Sequence, residues 1–191
     1  MSELVDRAIV FATEKHAGQV RKFGATPYIL HPLEVAVILS TLTGDENTIA
    51  AGLLHDTVED TGTEPEEIRE AFGPRVYALV LSETEDKSVN RSPSETWMER
   101  KQDSLLVLEH THDLEVKKMW LADKLSNMRS FYRVQLEMGD ALWERLHQKD
   151  KAMHAWYYRT IADYTADLSE TLAYQEYISL LLKVFGGENN G

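Results

Sequence analysis

Four short segments of the 191-residue chain hold residues able to do chemistry. They are Arg21-Lys22, Pro27-Tyr28-Ile29-Leu30-His31-Pro32, His55-Asp56-Thr57-Val58-Glu59-Asp60, and the stretch Leu121 to Arg129. His55 and Asp56 follow the apolar run Ala50 to Leu54. A charge beside such a run is costly unless it is paired or binds a metal. On a helix Asp56, Glu59 and Asp60 stand at i, i+3 and i+4, so three carboxylates and an imidazole share one helix end. They repel one another, and a cation is the natural remedy. Lys and Arg are absent between Lys22 and Arg69, so that cation comes from elsewhere in the fold or is a metal. A polar turn capping the helix end is the plainer alternative.

Asp123 follows Met119, Trp120, Leu121 and Ala122 and also interrupts an apolar run. It is either a ligand or a buried Asp paired with Lys124 or Arg129. Its helical face includes Asn127 and one of Arg129 and Ser130. His31 before Pro32 is by itself a turn or capping residue. Taken together, two imidazoles and two carboxylates form a mixed nitrogen and oxygen set. That set suits manganese, iron or zinc better than magnesium, which prefers oxygen and keeps its waters. With no cysteine in the chain, thiolate ligands and disulfides are excluded.

The elements that must position these residues read as helices. Most segments show helical rather than strand periodicity. Leu4, Ala8, Phe11 and Ala12 form one apolar stripe, and Gly18 to Thr26 is a basic, turn-rich loop. Pro32 suits a first helical position, with Leu33 to Leu42 buried behind it. A helix is expected over Thr48 to Glu59, capped by Asp45 or Asn47. Another starts near Thr63, and Gly73-Pro74 breaks the run before Val76 to Leu81. Glu83 to Ser94 reads as a surface loop. Helices are expected over Glu95 to His110, over Glu115 to Gly139, and from Trp143 to Phe185 with a break near Asp163 to Asp167. The expectation is an all-α bundle of about eight helices in one domain over residues 1–186, with a disordered tail at 187–191.

The formal charge of −12 argues against a generic nucleic-acid binder. An anionic substrate would need local cations or a metal to reverse the field. No stretch approaches the roughly 20 apolar residues of a membrane span. Met1 to Phe11 lacks the basic start and apolar core of a signal peptide, so a cytoplasmic protein is expected. His110 and His112 read as a solvated helix end. Trp156, Tyr157 and Tyr158 read as packing aromatics rather than a base-stacking platform.

The order His…His-Asp…Asp resembles the metal motif of the HD phosphohydrolase superfamily. Arg-Lys, then Pro-Tyr-x-x-His-Pro, His-Asp-x-x-Glu-Asp and Ala-Asp-Lys-Leu-x-Asn-Met-Arg is similar to the hydrolase domain of RelA/SpoT proteins and to the small alarmone hydrolases. The likeness runs from about His16 to Ser130, with weaker matches at Glu83 to Lys87 and at Glu99-Arg100-Lys101. It implies metal-dependent hydrolysis of (p)ppGpp to GDP or GTP and pyrophosphate. His31, His55, Asp56 and Asp123 would be the metal ligands, usually of Mn²⁺, with other divalent transition metals as alternatives. Glu59 and Asp60 would orient and activate the attacking water. Arg21, Lys22, Asn127, Arg129 and Ser130 would contact the nucleotide. Phe23 and the variable loop around it blur how Arg21 and Lys22 divide their roles. Synthetase and regulatory regions are not present, so the resemblance implies degradation alone. Other readings are a phosphohydrolase for another nucleotide, such as an NADPH 2′-phosphatase, and a nucleotide sensor without catalysis. The partner would be a small nucleotide; the sequence does not fix the oligomeric state.

Overall fold

A computed structural model of the chain describes residues 3–85 and 94–186. The expected tail and most of the expected loop after Glu85 lie outside the described residues. Among those residues the helices are α1 (Glu3–Lys15), α2 (Leu30–Leu42), α3 (Glu46–Leu54), the single turn α4 (Thr57–Asp60) and α5 (Pro65–Leu81). They continue with α6 (Trp97–His110), α7 (Leu114–Met138), α8 (Lys151–Tyr164) and α9 (Leu172–Phe185). Short 3-10 turns over Gly139–Arg145 and Ala166–Leu168 link the last three. The fold is all-α, as the periodicity predicts.

Helix α7 is the axis of the bundle and packs against α2, α3, α8 and α9. Its middle is buried without a break from Met119 to Ser126, so it has no solvated face there. That is why Asp123 and Lys124 can sit side by side in the interior only as partners. The core joins Leu39, Leu53, Leu54, Trp120, Leu121 and Tyr177, all at most 1% exposed. Apolar burial of this kind supplies most of the stability of a helical bundle.

Helix ends follow their local chemistry. Asp45 caps α3 by accepting from Asn47 N at 3.0 Å. Asp113 caps α7 by accepting from Glu115 N at 3.0 Å, and its carboxylate also binds Arg75 at 2.6 Å. Helix α5 starts at Pro65, not Thr63; the Glu67 side chain accepts from Glu64 N at 3.0 Å and fixes the start there. Gly73, at φ 88°, kinks α5 just before Pro74. Pro32 stands third in α2, not first, because turn bonds from Leu30 N and His31 N extend the helix backwards. It remains within the first turn, where a missing N–H costs nothing.

The expected helix Thr48 to Glu59 is two pieces. Helix α3 ends at Leu54, and α4 begins after Asp56, whose φ and ψ are −89° and −6°. Side chains compete for carbonyls here: His55 Nδ1 donates to Gly52 O at 2.9 Å and Thr57 Oγ1 to Leu54 O at 2.6 Å. The bond from Asp60 N to Asp56 O, 2.9 Å, keeps Asp56, Glu59 and Asp60 on one turn.

Gly52 marks the closest approach of α3 to α2. A Cβ there would stand 2.3 Å from Leu39 Cδ1 and 3.3 Å from Val35 Cγ1, both on side chains at most 1% exposed. Gly52→Ala should therefore destabilise the fold by about 1–2 kcal/mol in denaturant titration, overpacking outweighing the gain in helix propensity. Asp113→Asn keeps a cap but loses the Arg75 pair. Arg75 holds the Asp113 carboxyl below its ordinary value of 3.8. The contribution is therefore present at neutral pH, up to about 1 kcal/mol for a part-exposed pair. It should vanish as the pH falls through and below 3.8, which paired unfolding curves would read.

Candidate metal centre and nucleotide cavity

Three separate helix regions bring the four expected ligands together. His31 comes from the first turn of α2, His55 and Asp56 from the α3–α4 break, and Asp123 from the middle of α7. His31 Nε2 lies 3.0 Å from Asp123 Oδ1 and 3.5 Å from Asp56 Oδ2. His55 Nε2 lies 3.0 Å from Asp56 Oδ2 and 3.7 Å from Asp123 Oδ1. Both imidazoles are buried, and so is Asp123.

The remote nitrogen of each ring is already used. His55 Nδ1–H donates to a backbone carbonyl, and a carbonyl can only accept. His31 Nδ1 lies 2.9 Å from Ser126 Oγ. In the neutral rings this turns both Nε2 lone pairs toward the carboxylates. His55 Nε2 is buried and has no well-aligned hydrogen bond. One ligand atom each from His31, His55 and Asp123 falls within a 4.8 Å span, and Asp56 Oδ2 adjoins both imidazoles. Two inward lone pairs and two carboxylate oxygens are a donor set that fits a divalent transition metal.

The charges of this set are held by their neighbours. Burial works to raise Asp56 and Asp123, yet both carboxyls stay well below the usual range. For Asp56 the His55 and His31 imidazoles are responsible. For Asp123 the Lys124 ammonium comes first, then the two imidazoles. Burial pushes His31 down, whereas at His55 the Asp56 and Asp123 carboxylates overcome burial and push it up. Lys124 Nζ contacts Asp123 Oδ2 and donates to the buried Glu83 Oε1 at 3.0 Å. The pairing with Lys124 weighed for Asp123 is therefore real and occupies one oxygen only. The other, Oδ1, faces the imidazoles and accepts from Asn127 Nδ2 at 2.7 Å. Burial raises Glu83 to about 7.

This group lies in a cavity of about 810 Å³. Glu59 and Asp60 line it beside the ligands. Glu59 Oε2 accepts from Glu85 N at 3.3 Å. Tyr28 donates to Asp56 Oδ2 at 2.6 Å and reaches Asp60 Oδ2 at 3.1 Å, so it bridges ligand and acid pair. Arg21 Nη2 donates to Asn127 Oδ1 at 2.8 Å, and Lys22 and Ser130 line the same space. The far wall adds Arg100 and Lys101, both bound to Glu85. The cavity thus exposes five Lys/Arg against six Asp/Glu among its lining residues, in a chain with 20 against 32. The field an anionic ligand meets is far less acidic than the whole molecule's.

Arg129 is the exception among the expected substrate contacts. It does not line the cavity; it pairs with Glu34 at 3.0 Å and with Glu176 at 2.7 Å. Two residues along a helix are about 200° apart, so Asn127 and Arg129 face opposite ways. Ser130, at i+7 from Asp123, keeps the cavity face. Tyr157, Tyr158 and His154 are buried core residues that also form part of the wall, while Trp156 does not line it. His110 and His112 are exposed, as expected. Sequence reasoning missed Glu83 as the second partner of Lys124; its signal is an acid at the end of the apolar run Val76 to Leu81.

Residues 8–148 match the HD-domain family. The chain belongs to the HD-domain family. Within this family it is similar to the guanosine-3′,5′-bis(diphosphate) 3′-pyrophosphohydrolase of Aquifex aeolicus, at 43% identity over 131 residues, which is 69% of this chain and 18% of that protein. It is also similar to a GTP pyrophosphokinase of Myxococcus xanthus, at 39% identity over 130 residues, 67% of this chain and 17% of that protein. The HD-domain chain thus spans under a fifth of the length of these curated relatives. Among solved structures, a metazoan orthologue of SpoT that hydrolyses ppGpp is similar over 96% of both chains, with 27% identity and a TM-score of 0.73. No helix among the described residues is long and apolar enough to cross a membrane.

His55→Ala removes one expected ligand, a residue only 3% exposed. Calorimetric titration of the metal-stripped variant with a divalent transition metal should show binding lost. Wild-type affinity in that variant would remove His55 from the ligand set.

Proposed function

We propose that this HD domain hydrolyses (p)ppGpp at its 3′-diphosphate, giving pyrophosphate and GDP or GTP. The observation that carries the reading is one cavity in which the His31–His55–Asp56–Asp123 set, the Glu59–Asp60 pair and Arg21-Lys22 all meet. The activities named for the Aquifex protein and the metazoan SpoT orthologue supply the substrate. A nucleotide substrate of this kind implies a cytoplasmic enzyme.

His31, His55, Asp56 and Asp123 would hold the metal, with Mn²⁺ as the proposed ion. When bound, it supplies Lewis acidity to the reacting phosphoryl group and its water. Glu59 takes the proton from the attacking water as general base, and the backbone N–H of Glu85 orients its carboxylate. Asp60, held through Tyr28, steers the same water. The water oxygen bonds to the phosphorus nearest the ribose, and the bond from that phosphorus to the 3′ oxygen breaks. The ribose 3′ oxygen leaves with a proton taken from solvent water, Glu59 returns its own proton to solvent, and pyrophosphate departs. Arg21 and Lys22 bind phosphoryl oxygens and stabilise the charge that develops there. Asn127, tied to both Arg21 and Asp123, faces the ribose and phosphate region, with Ser130 beside it on α7.

The test is pyrophosphate release from ppGpp by purified protein with Mn²⁺, against a chelated control. Metal-dependent release with GDP as co-product is expected. Metal binding without release from ppGpp would move the substrate to another phosphorylated nucleotide. Glu59→Gln should still bind Mn²⁺ but turn over roughly 10²–10⁴-fold more slowly. Loss of the metal in that variant would contradict the base assignment.

A further inference from the structure

The Arg129 side chain ends a chain of contacts that begins at a metal-site histidine. Arg129 Nε and Nη2 donate to Glu176 Oε1 and Oε2, both at 2.7 Å. Nη1 of the same guanidinium donates to Glu34 Oε1 at 3.0 Å. Glu34 Oε2 accepts from Ser126 Oγ at 2.7 Å, and Ser126 Oγ lies 2.9 Å from His31 Nδ1. The donors then follow in one direction. Glu34 receives the Arg129 guanidinium on Oε1 and acts as acceptor on Oε2 as well, so the single hydroxyl proton of Ser126 goes to Glu34. The Ser126 oxygen must therefore accept from His31, which places the proton on Nδ1 and the lone pair on Nε2. That Nε2 is the atom 3.0 Å from Asp123 Oδ1.

We propose that Glu34, Ser126, Arg129 and Glu176 form a positioning relay that fixes the His31 tautomer for metal ligation and ties helix α9 to the metal centre. The inference rests on the metal-site reading above. His55 gives an internal contrast. Its tautomer is fixed by a backbone carbonyl, Gly52 O, which no side-chain change removes. His31 depends on side chains alone, one of them at 1% exposure and the others part-exposed. The relay also gives the C-terminal helix a role. The HD-domain match ends at residue 148, whereas Glu176 lies within Leu172–Phe185. Arg129 is thus a positioning residue on the far side of α7 from the cavity.

The experiment is calorimetric titration of the metal-stripped full chain with Mn²⁺, without substrate. Ser126→Ala and Glu34→Ala should each weaken Mn²⁺ binding roughly 10–100-fold, the usual effect of losing such a supporting hydrogen bond. The double variant should be no weaker than Ser126→Ala, because the two act in series. Glu176→Gln should shift affinity in the same direction by less. Nitrogen-15 NMR of the metal-free imidazoles should show His31 as the Nδ1–H tautomer in wild type and as a mixture in Ser126→Ala. A fold defect would not produce this change at His31 alone, and His55 should not change. Glu34 is part-exposed, so Glu34→Ala keeps the test open if the buried Ser126→Ala fails to fold. Unchanged Mn²⁺ affinity in both variants would overturn the relay. So would an Arg129→Ala effect confined to the KM for ppGpp. A wild-type chain that binds no Mn²⁺ would overturn the relay and the metal site together. Failure to hydrolyse ppGpp concerns the substrate alone and leaves the titration decisive.

Discussion

A carboxylate in the middle of a helix buried on all sides can survive only if both of its oxygens are spoken for. Asp123 meets that condition by dividing its oxygens. Oδ2 is neutralised by Lys124, itself buried and backed by Glu83, while Oδ1 looks across at two imidazoles and accepts from Asn127. Remove Lys124 and the charge on Asp123 would lose its first compensating partner. Remove the imidazoles and Oδ1 would lose the groups it faces. The packing of α7 against α2 and α3 therefore carries an electrostatic condition as well as an apolar one. The packing also brings the candidate ligands of three helix regions close enough to share one ion.

The candidate ligand set was legible in the sequence because its chemistry is conspicuous: charged or titratable residues set into apolar runs at His55-Asp56 and at Asp123. The all-α class was legible from the periodicity. The facing of Arg129 was not taken from the motif, although helical geometry alone separates it from Asn127. The motif groups residues by sequence, while the helix sorts them by angle. The break at His55-Asp56 was hidden for another reason. It depends on His55 and Thr57 bonding carbonyls one turn back, which no local propensity reports. The far wall of the cavity, with Tyr157 and His154, comes from sequence well beyond the strong motifs, and only the folding of α8 onto α6 and α7 brings it to the site.

The acidic composition and the proposed anionic substrate look incompatible until the charges are placed. The excess of Asp and Glu is spread over the chain, whereas the cavity gathers Arg21, Lys22, Arg100, Lys101 and Lys124 near its own acids. Glu85 holds Arg100 and Lys101 in position, and its carboxyl lies below its ordinary value, because the nearby cations, Lys101 first and then Arg100, outweigh its burial. A local balance of this kind lets a strongly negative protein present cations to a phosphate without a basic surface that would attract other polyanions.

The chain has no cysteine, so none of its helices is joined by a covalent bridge. The four-residue set from α2, the α3–α4 break and α7 offers a substitute. Its members are 92 positions apart at the extremes, His31 to Asp123, and meet only when the chain is folded. An ion held there binds the native state and not the unfolded chain, so its binding energy adds to the folding energy. With the proposed ion bound, the bundle would own a reversible crosslink, fastened and released by cation supply rather than by redox chemistry. Resistance to heat or proteolysis would then become a readout of how much metal the surroundings provide.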